Sequence, residues 1–64
     1  MLTFIRRRDV LARTGLANST LYLMISRGQF PRPVKLGPQM VGWPESEVTA
    51  WQKSKLAERD GKAA

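Results

Sequence analysis

Sixty-four residues make one domain, and a chain of this size buries only roughly 60% of the surface its unfolded form exposes, so a deep substrate cavity is excluded. Cysteine and histidine are absent, which removes disulfides, thiolate metal sites and the commonest metal ligand and general base. The net charge of +6 is uneven: Arg6, Arg7, Arg8, Arg13, Arg27, Arg32 and Lys35 face only Asp9 up to residue 43, whereas beyond it Lys53, Lys55, Arg59 and Lys62 are balanced by Glu45, Glu47, Glu58 and Asp60. A one-sided basic field attracts a polyanion, although charge alone fits a solvated basic surface equally well.

The opening MLTFIRRR puts apolar residues before charges, the reverse of a secretory signal. No stretch approaches the roughly 18 apolar residues of a membrane span, so a soluble intracellular protein is expected. Leu2, Phe4 and Ile5 are expected to reach the core from a short extended segment. Arg6, Arg7 and Arg8 read as a solvated run in isolation and as phosphate contacts if a DNA-binding helix pair follows.

Such a pair is predicted over Asp9 to Gly28, DVLARTGLANSTLYLMISRG. Asp9 suits the cap or first turn of helix 1, where its carboxylate meets free backbone amides. Val10 and Leu11 face inward, Thr14-Gly15 ends the helix in the conformation glycine allows, and Leu16 enters the core. Helix 2 is predicted from about Asn18 to Arg27, with Asn18 or Ala17 at its cap and Gly28 as its stop. At 100° per residue, Leu21, Met24 and Ile25 form its buried stripe. Opposite them fall Ser19, Leu23 and Ser26, with Thr20 and Arg27 on one edge and Tyr22 on the other. This face is small, rich in hydroxyls and nearly uncharged, which suits approach to base edges and thymine methyls. Packing in a small bundle is the alternative, and Leu23 supports it best because it could serve as a dimer contact.

In QFPRPVKLGPQMVGW, Phe30 is expected on the core while Pro31 and Pro33 forbid helix. Val34-Lys35-Leu36 and Met40-Val41-Gly42-Trp43 read as two short strands around Gly37-Pro38-Gln39, a hairpin that would be a wing after a helix-turn-helix. Arg32, Lys35 and Gln39 would lie on or near it, either on phosphates or a minor groove or simply in water. Pro44 opens the last helix, with Glu45 and Glu47 in its first turn and Lys53, Lys55 and Arg59 toward its end. Val48, Trp51 and Leu56 make its inward stripe. Trp43 and Trp51 are read as core mass rather than stacking platforms. The ordered core is expected over about 4–59, with 60–64 frayed.

The series Gly15-Leu16, Ser19-Thr20, Tyr22, Ile25, Gly28, Phe30-Pro31, Pro33, Leu36-Gly37, Gly42-Trp43, Ser46-Glu47-Val48 and Trp51 resembles the AlpA family of small phage-type regulators, grouped with the MerR-like and excisionase-like winged helix-turn-helix proteins. The resemblance runs from about Ile5 to Leu56, and the order and spacing of its parts are more specific than any one dipeptide. It implies a mainly α fold of three helices with a small β-hairpin wing. It further implies a DNA-binding protein whose second helix enters the major groove and whose wing touches the flanking backbone. By position, Asn18, Ser19, Thr20, Tyr22 and Arg27 match the presenting face of the recognition helix, and Arg32 and Lys35 match the wing. The chain departs from the pattern at Ala17, where relatives usually carry a small hydroxyl residue, which moves the cap to Asn18. It departs again at Leu23, where they commonly carry Arg or Lys.

The expected function is therefore a sequence-specific transcriptional regulator of prophage or mobile-element genes, cytoplasmic and associated with the nucleoid. Base contacts are expected from Asn18, Ser19, Thr20, Tyr22, Leu23, Ser26 and Arg27, with wing and phosphate contacts from Arg6, Arg7, Arg8, Arg32, Lys35 and Gln39. Double-stranded DNA is the expected partner, with self-association or cooperative loading on it. The alternative is an excisionase-type directionality factor that bends DNA and recruits an integrase. A protein-interaction module is a third option. No cofactor or metal is expected, and catalysis is disfavoured by scattered carboxylates and the lack of a Gly-rich phosphate loop.

Overall fold

The computed structural model describes residues 2–61. Three helices, α1 (Arg7–Thr14), α2 (Asn18–Ser26) and α3 (Glu45–Arg59), accompany three strands, β1 (Phe4–Ile5), β2 (Val34–Gly37) and β3 (Met40–Pro44). This mainly helical arrangement with a small antiparallel sheet fits a winged helix-turn-helix. No helix among the described residues is long and apolar enough to cross a membrane.

The α1–α2 turn follows from local chemistry. Thr14 donates its hydroxyl to the Val10 carbonyl at 2.8 Å and accepts from the Leu16 amide at 3.3 Å. Gly15, at φ 73°, takes the left-handed conformation that a side chain would disfavour, and its amide reaches the Leu11 carbonyl at 2.8 Å. Gly28, at φ 72°, does the same after α2, while the Gln29 amide returns to Met24 at 2.8 Å.

The sheet has the order β1-β3-β2, antiparallel throughout. Its hairpin is the predicted one, but β1 was not anticipated as a strand: Phe4 pairs with Pro44 and Ile5 with Trp43 across the whole helix pair. Thr3 extends this link by accepting the Glu45 amide at 2.7 Å, satisfying a free donor at the start of α3.

Five buried residues, Val10, Leu21, Phe30, Trp43 and Val48, form the core, drawn from all three helices, β3 and the α2–β2 connection. Both tryptophans are structural. The Trp43 indole N–H donates to the Pro31 carbonyl and that of Trp51 to the Gln29 carbonyl, each at 2.9 Å, and Phe30 meets Trp51 edge-on at 4.8 Å between ring centroids. Together they hold residues 29–31, and hence the end of α2, against the body.

Several expectations are corrected. Helix α1 begins at Arg7, two residues before the expected start, which leaves Asp9 in the first turn, one of its two expected places, with its carboxylate accepting the Arg6 amide at 3.4 Å. Of the two residues expected at the α2 cap, Ala17 occupies it, and Asn18 is the first helical residue. Pro44 ends β3 and precedes α3 instead of being its first helical residue. Leu2 and Phe4 are 62% and 40% exposed, because a strand's alternation sends only Ile5 inward. Leu56 is 51% exposed, since α3 outlasts the body it packs on. Of the tail expected to fray, Asp60 and Gly61 form a closing turn, with amides reaching Leu56 at 3.0 Å and Glu58 at 3.1 Å; residues 62–64 lie outside the described residues.

Candidate nucleic-acid interface

The α2 helix buries Leu21 and half-buries Met24 and Ile25, so Ser19, Thr20, Tyr22, Leu23, Ser26 and Arg27 are exposed as the periodicity requires. Tyr22 and Leu23 are 41% and 48% exposed, large side chains with much of their surface in water. Ser26 already donates its hydroxyl to the Leu23 carbonyl at 2.7 Å, which leaves only its oxygen lone pairs for another group.

Asn18 opens α2 as its first helical residue and has a partner that sequence spacing does not reveal. The Arg7 guanidinium, eleven residues earlier, donates to its Oδ1 at 2.8 Å. Arg7 also lines a groove of about 500 Å³ with Arg6, Arg8, Asp9, Gln39 and Val41. The first turn of α1 thus bonds to the start of α2 and shares a groove with the hairpin turn. Four predicted residues, Arg6, Arg7, Arg8 and Gln39, gather in that groove, and Asn18 joins them through Arg7. Arg27, Arg32 and Lys35 are exposed but do not line it.

The ion pairs divide the cations into two classes. Among the described residues they are Arg13–Glu45, Lys55–Glu58 and Arg59–Asp60, every one using a carboxylate of α3 or of the turn that ends it. Arg6, Arg7, Arg8, Arg27, Arg32 and Lys35 form no ion pair among the described residues, and Asp9 is the single carboxylate lining the groove beside Arg6, Arg7 and Arg8, so the local field stays positive. Arg13 belongs to the other class. Its Nη2 donates to Thr49 Oγ1 at 2.9 Å and to Gln52 Oε1 at 2.7 Å, and Gln52 Nε2 returns a bond to the Arg13 carbonyl at 2.9 Å. That arginine fastens α1 to α3 and is not available to a ligand.

Residues 3–56 match the family model of the prophage CP4-57 regulatory protein, AlpA. An uncharacterized protein of Enterobacteria phage P4, ORF88, is 45% identical over 56 residues, covering 88% of this chain and 64% of that relative. With the match running from β1 through both helices of the pair and the hairpin into α3, the chain belongs to the AlpA family of prophage regulatory proteins.

Proposed function

We propose that this protein is a sequence-specific double-stranded DNA-binding regulator of prophage or mobile-element transcription. In this reading α2 enters the major groove, and the β2–β3 hairpin rests on the flanking backbone or minor groove. The observation that carries the reading is the position of Arg7, which joins the hydroxyl-rich start of α2 to a groove of arginines ending at the hairpin turn. A continuous strip of that kind matches a duplex, whose phosphates flank the base edges being read.

In this assignment Ser19, Thr20 and Tyr22 offer hydroxyls to base edges, Asn18 its amide, and Leu23 an apolar surface to a thymine methyl. Arg6, Arg8, Arg27, Arg32 and Lys35 supply the sequence-independent, salt-dependent share of affinity. Gln39, at the hairpin turn, meets the sugar-phosphate backbone.

The test is selection from a randomised duplex pool, followed by titration of the recovered sequence and a scrambled duplex across a salt series. A preference for the recovered sequence that persists at physiological salt is expected. Ser19→Ala should narrow that preference, whereas Arg27→Ala should weaken binding to both duplexes. Equal and steeply salt-dependent binding to every duplex would overturn sequence reading and favour an architectural role of the excisionase type, which a bending assay would then detect.

A further inference from the structure

The charges of this chain avoid one helix. α1 carries Arg7, Arg8, Asp9 and Arg13, and α3 carries Glu45, Glu47, Lys53, Lys55, Glu58 and Arg59, whereas none of the nine residues of α2 is charged. That absence limits what α2 recognises. Guanine is read chiefly by Arg or Lys at its O6 and N7, and cytosine by a carboxylate at its N4, so α2 lacks the side chain suited to either edge of a G·C pair. Arg27 stands past the last turn, as the C-cap. Asn18 is of the type that grips adenine with both atoms of its amide, but its Oδ1 already accepts from Arg7 at 2.8 Å.

The side chain that remains is apolar. On the exposed side of α2, Leu23 has Ser19 one turn before it and Ser26 one turn after it. The Ser26 hydroxyl folds back onto the Leu23 carbonyl at 2.7 Å and so stays close to the helix backbone. Leu23, 48% exposed, is therefore the large side chain at the centre of a low strip, with Tyr22 at its edge. A single exposed leucine is ordinary; this one occupies the middle of the charge-free face, with small neighbours that let the floor of a groove approach it.

We propose that Leu23 is a specificity-determining residue that packs on the 5-methyl group of a pyrimidine in the major groove, so that the duplex is selected there by a methyl group rather than by a hydrogen bond. The inference rests on α2 being the major-groove helix. Thymine supplies the methyl in unmodified DNA, and 5-methylcytosine supplies it at a C·G pair. Cytosine methylation at this one position then strengthens binding, and uracil in place of thymine weakens it. Covering one methyl group from water corresponds to about fourfold in affinity.

The experiment uses the duplex recovered by selection, with each thymine replaced singly by deoxyuridine, which removes the methyl and leaves the hydrogen-bonding groups in place. At one thymine the affinity should fall about fourfold. With C·G at that position, the 5-methylcytosine duplex should bind about fourfold more tightly than the cytosine duplex. Leu23→Ala should abolish both differences, and Leu23→Met, which keeps an apolar side chain, should retain them. Indifference to uracil at every position, with the preference for the recovered sequence intact, would overturn the methyl contact and leave the DNA-binding reading standing. A uracil effect undiminished in Leu23→Ala would overturn the assignment to Leu23 and give the methyl to Thr20 or Tyr22. Equal binding to recovered and scrambled duplexes would remove sequence reading itself, and this inference with it.

Discussion

The Arg7 guanidinium donates to the Asn18 carboxamide oxygen at 2.8 Å and joins the first turn of α1 to the first turn of α2. This bond decides which edge of the amide is free. With its oxygen engaged by Arg7, Asn18 presents its NH₂ group, a donor suited to a purine N7 or a phosphate oxygen. Arg7 is thus a positioning residue as well as a cation. Arg7→Ala should weaken duplex binding more than loss of one charge predicts, and Arg7→Lys should keep the charge but not the full affinity. A double-mutant cycle between Arg7→Ala and Asn18→Ala on DNA should give a coupling of about 1 kcal/mol. Additive effects would mean that Arg7 acts through its charge alone.

Arg13 lies on the same helix but has a different task. Its bonds to Thr49 and Gln52, and the return bond from Gln52, tie α1 to α3 over a part-buried surface. Arg13→Ala leaves Gln52 and Thr49 without this donor and should cost about 1 to 3 kcal/mol of stability. Urea unfolding checks the cost. DNA titration of the folded fraction should give an unchanged salt dependence, which separates Arg13 from Arg6, Arg8 and Arg27.

The contrast between Arg7 and Arg13 marks where the sequence was legible. Both stood in one basic segment, and nothing local distinguishes an arginine facing solvent from one bound to a helix more than thirty residues away. What could be read was local: glycines 15 and 28 as stops, prolines 31 and 33 as helix breakers, the 21-24-25 stripe, and the turn at Pro38-Gln39. These features depend on a residue and its near neighbours. The pairing of β1 with β3, the exposure of Leu56 and the Arg7–Asn18 bond depend on long-range packing, which two strand residues or one side chain do not announce. The exposed face of α2 came from periodicity alone, whereas its continuity with the arginine groove required the fold.

Gly42 offers a test of the sheet. Its φ is not in the left-handed region; the constraint is space. A Cβ there would meet the Ile5 carbonyl oxygen at 3.2 Å as well as Leu36 Cδ1 at 2.7 Å. Leu36 can rotate away, but the Ile5 backbone is held by its pairing with Trp43. Gly42→Ala should therefore destabilise the protein by about 1 to 3 kcal/mol through overpacking. Thermal unfolding measures the loss, and Leu36→Ala in the same chain should recover part of it by vacating the closer contact. Equal stability of Gly42→Ala and the parent would mean that the strands separate at little cost.

Leu23 tests the α2 face most directly, because it is a large apolar side chain 48% exposed at the middle of that face. Leu23→Arg adds a positive charge where α2 would face the duplex. Stability should change by no more than about 0.5 kcal/mol, as for other surface substitutions. Duplex affinity at low salt should rise, and the slope of log K against log salt should steepen by roughly 0.9, the release expected for one added phosphate contact. Affinity and slope both unchanged would place position 23 away from the phosphates and bases, and the α2 face would then have to be assigned to packing instead. A gain in affinity without a change in slope would indicate a base contact, because a guanidinium hydrogen-bonded to a guanine edge discriminates between sequences while releasing few counterions.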